Sequence, residues 1–244
     1  NDKVNLEMLN LYENVFMHET NRYEYIKTPM TQAEKEVYYS LNDFKDLNIK
    51  FLSEEQAKKN ISELTLKGLD ITYKVPRLAN ELKKITRTTE YQKNKKPFGF
   101  SLETQGIKNP LAKYFLEGNM TVMPFLGSNK NTAKITQKVY KKLYDSTDTF
   151  MVMVCPISKM NDRTVQVNCG RLYSRLVLTG HTLKMGLHPM SALIADYEEA
   201  VQIKGEFMTK YLSADEYPFM ITRVGLVTKL FPKSMRQNVL DFVK

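Results

Sequence analysis

The stretch NCGRLYSRLVLTGHTLKMGLHPMS, residues 168–191, limits what this chain can fold into more than any other. It predicts one helix over residues 166–185, about 30 Å long at 1.5 Å per residue. Leu172, Leu176, Val177 and Leu183 mark its buried side. Its middle is apolar nearly all round, and such a helix belongs inside a protein rather than on its surface. Thr179 and Gly180 are small enough for another backbone to come close. Gly186 is placed to end the helix in the left-handed conformation, with Leu187 packing back on it. His188 and Pro189 follow the stop.

A helix of this kind needs a sheet to lie on. TFMVMVCP, residues 149–156, is a short continuous apolar run, the pattern of a central strand covered on both faces. PFMITRVGLV, residues 218–227, reads as the last strand and NIKFL, residues 48–52, as a short early one. Helices are expected over residues 6–17, from Thr31 to about Leu41, from Ser53 to about Leu69, and over 77–86, 131–144 and 197–211. Thr31 with Glu34, and Ser53 with Gln56, have the spacing of capping boxes, and Pro76 interrupts whatever precedes it. Residues 88–119 read as a long polar loop, which in a compact domain points to function, and a strand is expected near Val122. Helices and strands are interspersed without repeat, so the class is α+β, one domain over residues 1–244.

Composition excludes several functions. With 244 residues and 42% apolar content the chain can bury a real core. No run approaches the roughly 18 apolar residues of a membrane span, so no membrane partner is expected. Two cysteines, Cys155 and Cys169, suit neither a disulfide framework nor a zinc site, and point to free thiols in a reducing, cytoplasmic setting. The formal net charge of +9 is scattered, with its densest cluster in YQKNKKPFG, residues 91–99, read as a solvated loop. A basic face interleaved with aromatics is missing, so no nucleic-acid partner is expected.

The chemistry is defined by what the chain lacks. The three histidines, His18, His181 and His188, are far apart, and no metal-ligand spacing occurs. There is no nucleophile elbow, no phosphate loop and no carboxylate pair in apolar surroundings, so no residue is assigned as catalytic. Basic residues instead sit at the edges of apolar elements: Arg22, Arg171, Arg175, Arg223, Lys233 and Arg236. Arg223, inside a strand, calls for an ion pair or an outward-facing position, because a buried unpaired charge is costly. Arginines far apart in sequence can still converge on one phosphate.

CGRLYSRLVLTGHTLKMGLHPMS, then YPFMITRVG and FPKSMRQNVLDFV, resembles the C-terminal part of the FMN-dependent nitroreductase family. MHETNRYEY resembles that family's basic opening, and the TNR within it is similar to the start of the second half in a two-repeat, Acg-like subgroup. The resemblance implies an α+β fold with a central mixed, mainly antiparallel sheet packed by helices around a long buried core helix. It implies FMN as cofactor, NAD(P)H as electron donor and a small nitro or quinone-type acceptor. Arg22, Lys233 and Arg236 would hold the flavin phosphate, with Asn21 and His18 beside them, and His188 would lie near the flavin ring. The partner would be a second copy of the chain or a preceding N-terminal repeat. The chain departs from the family in having no tryptophan, no Pro-Ser-x-x-Asn-x-Gln-Pro-Trp segment, and His18 where an arginine is usual. Those departures keep two alternatives open. One is a degenerate protein that binds or sequesters flavin without turning it over; the other is an interaction module using the basic loop at residues 93–96.

Overall fold

A computed structural model describes residues 11–107, 109–117, 128–238, 240 and 242–243. Its centre is a four-stranded sheet of β1 (Asn48–Leu52), β4 (Thr149–Pro156), β6 (Glu216–Leu226) and β5 (Met185–Pro189), in that order. Every neighbouring pair in it is antiparallel. The parallel ladder among the described residues is separate and short, between β2 (Thr86–Arg87) and β3 (Phe100–Ser101).

The eight residues of β4 divide the core by the two-residue period of a strand. Met151, Met153 and Cys155 face one layer, and Phe150, Val152 and Val154 the other. The first layer is closed by α7 (Arg163–Thr182) and α1 (Gln32–Ser40), through Val165, Cys169, Leu172 and Leu176 on one and Tyr38 on the other. The second is closed by α2 (Glu55–Lys74), α6 (Ser128–Asp145) and α8 (Val201–Tyr211), through Ile61, Leu64, Tyr140, Leu143 and Phe207. The strand expected to be covered on both faces is covered on both.

Several boundaries differ from expectation, each for a local reason. The long helix is α7, three residues earlier than its apolar pattern suggests, because Asp162 accepts from the Thr164 and Val165 amides and sets its start. It is buried on one side only: Val167 on the other side is 51% exposed and Gly170 meets nothing. The left-handed residue after the helix is Lys184, at φ 55°, not Gly186, which lies within β5. The Thr31–Glu34 capping box forms, but Ser53 caps nothing; Glu54 stands at the cap position and α2 runs on to Lys74. Pro76 is the first residue of α3 (Pro76–Ile85), where its missing N–H costs nothing. The polar stretch 88–119 is not structureless. It contains α4 (Glu90–Lys95), β3, a 3₁₀ turn (Glu103–Gln105) and α5 (Pro110–Glu117). Residues 11–13 are helical and Val15–Met17 form a 3₁₀ turn, whereas residues 6–10 and the strand expected near Val122 lie outside the described residues. Among those described, no helix is long and apolar enough to cross a membrane.

One close approach fixes how α2 meets the chain after β5. A methyl group on Gly68 would overlap the Ala192 carbonyl. Gly68→Ala should therefore destabilise the fold by about 2 kcal/mol through forced separation of the two backbones. Gly205→Ala, on α8 with open space around it, should stabilise by about 0.5–1 kcal/mol. Urea denaturation of the two variants tests the contrast, and equal effects would refute it.

Candidate functional site

Arg223 is fully buried in β6 and is neither ion-paired nor outward-facing. Its Nε donates to His188 Nδ1 at 2.9 Å. Nη1 donates to Leu143 O at 3.1 Å and Thr147 Oγ1 at 3.4 Å, and Nη2 to Asn21 O at 3.2 Å and Tyr23 O at 2.6 Å. The Tyr25 ring lies 3.9 Å from the guanidinium carbon. Five acceptors meet the five N–H groups of an arginine, so the charge is dispersed over neutral oxygen, nitrogen and π density rather than cancelled. The expectation failed because sequence does not reveal how many carbonyls a fold can direct at one side chain.

The same bonds hold the N-terminal segment against β5 and β6. Asn21 N donates to Leu187 O and Ile26 N to Leu226 O, each at 3.0 Å. The slot for this segment is made by Gly186 and Gly225, which face each other across the two strands. A Cβ on Gly186 would come within 2.9 Å of Asn21 Cβ, and one on Gly225 within 2.9 Å of the Tyr25 ring. The chain after β6 folds back over the segment: Phe231 N donates to both Glu19 carboxylate oxygens at 2.9 and 3.0 Å, and Asn21 Nδ2 to Lys229 O at 3.2 Å. Burial raises the Glu19 pKa, while the Phe231 amide, Asn21 and Lys233 oppose it. Burial and the nearby Arg236 charge lower that of His18.

The six residues singled out in the sequence thus fall into two groups. His18, Asn21, Lys233 and Arg236 gather where the tail crosses the N-terminal segment. Asn21 is wholly buried, and Lys233 and Arg236 are exposed. Arg22 and His188 instead line a cavity of about 510 Å³, a volume typical of small-molecule sites. Its walls come from α2, from Phe100 and Gln105, from α6 and from the turn after β5. Arg22 Nη1 donates to Thr104 O at 2.6 Å, and its Nε is buried without a partner among the described residues. Tyr140 OH donates to Gln105 Oε1 at 3.0 Å, and the Tyr140 ring lies 5.8 Å from that of His188. His188 is 3% exposed, and burial together with Arg223 and Arg22 holds its pKa well below the ordinary 6.5. Tyr73, Gln105, Tyr140 and Phe219 were missed; the only sequence signal for any of them was the long polar stretch that carries Gln105. Among the described residues no His, Cys, Asp and Glu group could hold a metal.

No family model matches the chain, and no curated protein matches it by sequence. Solved structures do match. The FMN- and NADPH-dependent nitroreductase NfnB from sphigopyxis sp. strain HMH aligns over 96% of this chain and 97% of its own, with TM-score 0.54 and 10% identity. Iodotyrosine deiodinase bound to FMN and 3-iodo-L-tyrosine aligns over 94% and 96%, with TM-score 0.53 and 13% identity. The nitroreductase with bound FMN from Bacteroides fragilis NCTC 9343 aligns over 94% and 95%, with TM-score 0.51 and 6% identity. At such identities the likeness concerns the fold. The chain has a nitroreductase-like α+β fold, as the resemblance implied.

The histidines give this region a definite pH response. His18, His181 and His188 are all held below the ordinary 6.5, in each case first by burial. Below that pH the unfolded chain binds protons that the folded chain resists, so stability rises with pH there and falls as pH is lowered. Glu19, raised by burial, acts in the opposite sense, its contribution being lost as pH rises above the ordinary carboxylate value. The melting temperature should drop between pH 7.5 and 5.5; an unchanged value across that interval would contradict the three burials.

Proposed function

We propose that this chain is an FMN-dependent oxidoreductase that takes electrons from NAD(P)H and reduces a small nitro or quinone-type acceptor. The observation that carries the reading is the cavity, in which the Arg22 and His188 side chains meet aromatic walls on a nitroreductase-like fold. The donor set fits a flavin. Arg22 Nε lacks a partner, and His188 offers a ring nitrogen without one among the described residues. Tyr73, Tyr140 and Phe219 provide flat apolar surface for a planar ring. Lys233 and Arg236 supply positive charge for the phosphate, with His18 beside them as a hydrogen-bonding ring, and Arg22 lines the cavity. Bound FMN would supply the hydride and electron transfer, leaving the protein to bind, orient and exclude water. That division of labour agrees with a cavity lacking an acid–base pair: its one carboxylate, Asp196, is bound to Lys204 at 2.5 Å.

The exposed side of α7, with Val167 and the open space at Gly170, is proposed to meet a second copy of the chain. In the two-repeat reading, which rests on the TNR resemblance, a preceding repeat takes that place.

A second reading, flavin binding without turnover, is favoured by the segment that carries Phe100 and Gln105. Phe100 and Gln105 line the cavity, and Gln105 is tied to Tyr140. The visible spectrum of the purified protein separates the readings. Flavin bands that bleach anaerobically with NADH or NADPH support the enzyme, bands that persist support the binding protein, and a protein that takes up no added FMN refutes both. The basic-loop alternative loses support, since Lys93 in α4 is already paired with Glu90 at 2.6 Å and Glu103 at 3.0 Å. Arg236 is exposed and, among the described residues, bonds only within the tail, to Ser234 and Met235. Arg236→Ala should therefore weaken FMN binding by about tenfold or more, as expected for a lost charge-assisted contact, with little change in melting temperature. Unchanged FMN affinity would remove Arg236 from the site.

A further inference from the structure

His188 and Arg223 are directly opposed residues of β5 and β6. The bond between them runs in one direction: a guanidinium can only donate, so His188 Nδ1 must accept. The imidazole is buried between Arg223 and the cavity, and Arg22 adds a second positive charge nearby, so it stays neutral. A neutral imidazole that accepts at Nδ1 carries its proton on Nε2. Nε2–H has no partner among the described residues, on a ring that lines the cavity. Arg22 lines the same cavity, and its guanidinium can only donate. Neither side chain can accept there. A ligand offering a donor to this wall would find no acceptor on them, and a ligand offering an oxygen would pair with the Nε2–H.

We propose that Arg223 is a positioning residue that fixes His188 as a permanent Nε2–H donor, and that His188 and Arg22 together form a pocket for a carbonyl or oxyanion on the edge of a planar ring. The inference rests on the reading that the cavity takes a flavin or its acceptor, and adds which atoms of that ligand the wall selects. Flavin carbonyls and the oxygens of a nitroaromatic share this chemistry, so both sources must be tried.

The test is nitrogen NMR of the protein labelled at histidine, at neutral pH, first alone and then with FMN or 4-nitrobenzoate as separate probes. The expected spectrum for His188 has one protonated nitrogen, Nε2, and one bare nitrogen, Nδ1. The Nε2–H signal should move on saturation with a probe. Movement with FMN assigns the donor to the flavin, and movement with 4-nitrobenzoate assigns it to the acceptor. A proton on Nδ1, a doubly protonated ring, or an Nε2–H signal that neither probe moves overturns the proposal. FMN bound by absorbance, with the signal moved by neither probe, sinks this inference and leaves the flavin reading standing. Movement with 4-nitrobenzoate in a protein that takes no FMN does the reverse. His188→Gln, which can both accept from Arg223 and donate to the cavity, should keep affinity for the active probe within a few-fold. His188→Phe should lose about tenfold. Equal affinities in the two variants would also overturn it, and the NMR readout on the unmodified chain stands if His188→Phe does not fold.

Discussion

A single buried cation organises this molecule. Arg223 could not be desolvated unless the fold supplied acceptors for all five N–H groups, and it draws them from three separate parts of the chain: residues 21 and 23, 143 and 147, and 188. Each acceptor is thereby fixed relative to the others. The end of α6, the N-terminal segment and β5 meet at one guanidinium, and their mutual positions define the inner wall of the cavity. Leaving one of a buried group's hydrogen bonds unmade costs about 1–3 kcal/mol, and more where the group is charged, so the arrangement is hard to change piecemeal. The site therefore inherits the rigidity of the core although it opens toward solvent.

Much of the fold was legible because its signals are local. The run from Thr149 to Pro156 could only be a doubly covered strand, and β1 was readable from its alternation. Thr31 and Glu34 announced the start of α1. Boundaries were lost where the deciding contact was also local but outside the pattern consulted. Asp162 starts α7 before any apolar residue marks it, and Lys184 takes the left-handed turn that a glycine two residues later seemed built for. Gly186 is there for another reason, the approach of Asn21 and Tyr25, which lie over 160 positions away and leave no trace nearby in sequence.

The site was less legible than the fold. Arg22 and His188 could be singled out as charge and ring at element edges, but not as members of one wall, and the pairing that gives His188 its character depends on strand register between β5 and β6. Arg223 was judged by the rule that buried charges need opposite charges. The rule holds for a lone charge in a dry interior; carbonyl oxygens, a hydroxyl, an imidazole and a π face can take the place of the carboxylate together. The helices within residues 88–119 escaped notice because α4 buries no residue, and α5 buries Leu116 while Leu111, Tyr114 and Phe115 stay exposed, so neither carries an apolar stripe matched to a buried face.

The cavity draws its walls from Arg22 at one end of the sequence and Met220 near the other, with Thr65, Phe100, Tyr140 and His188 between. No fragment of the chain contains it, and no partly folded state that leaves the N-terminal segment undocked can hold its full shape. Occupancy and folding are consequently linked: a molecule that fills the cavity binds only the finished structure and shifts the whole folding equilibrium in its favour. The ligand thus acts as a last structural element, completing a wall that the polypeptide by itself leaves open.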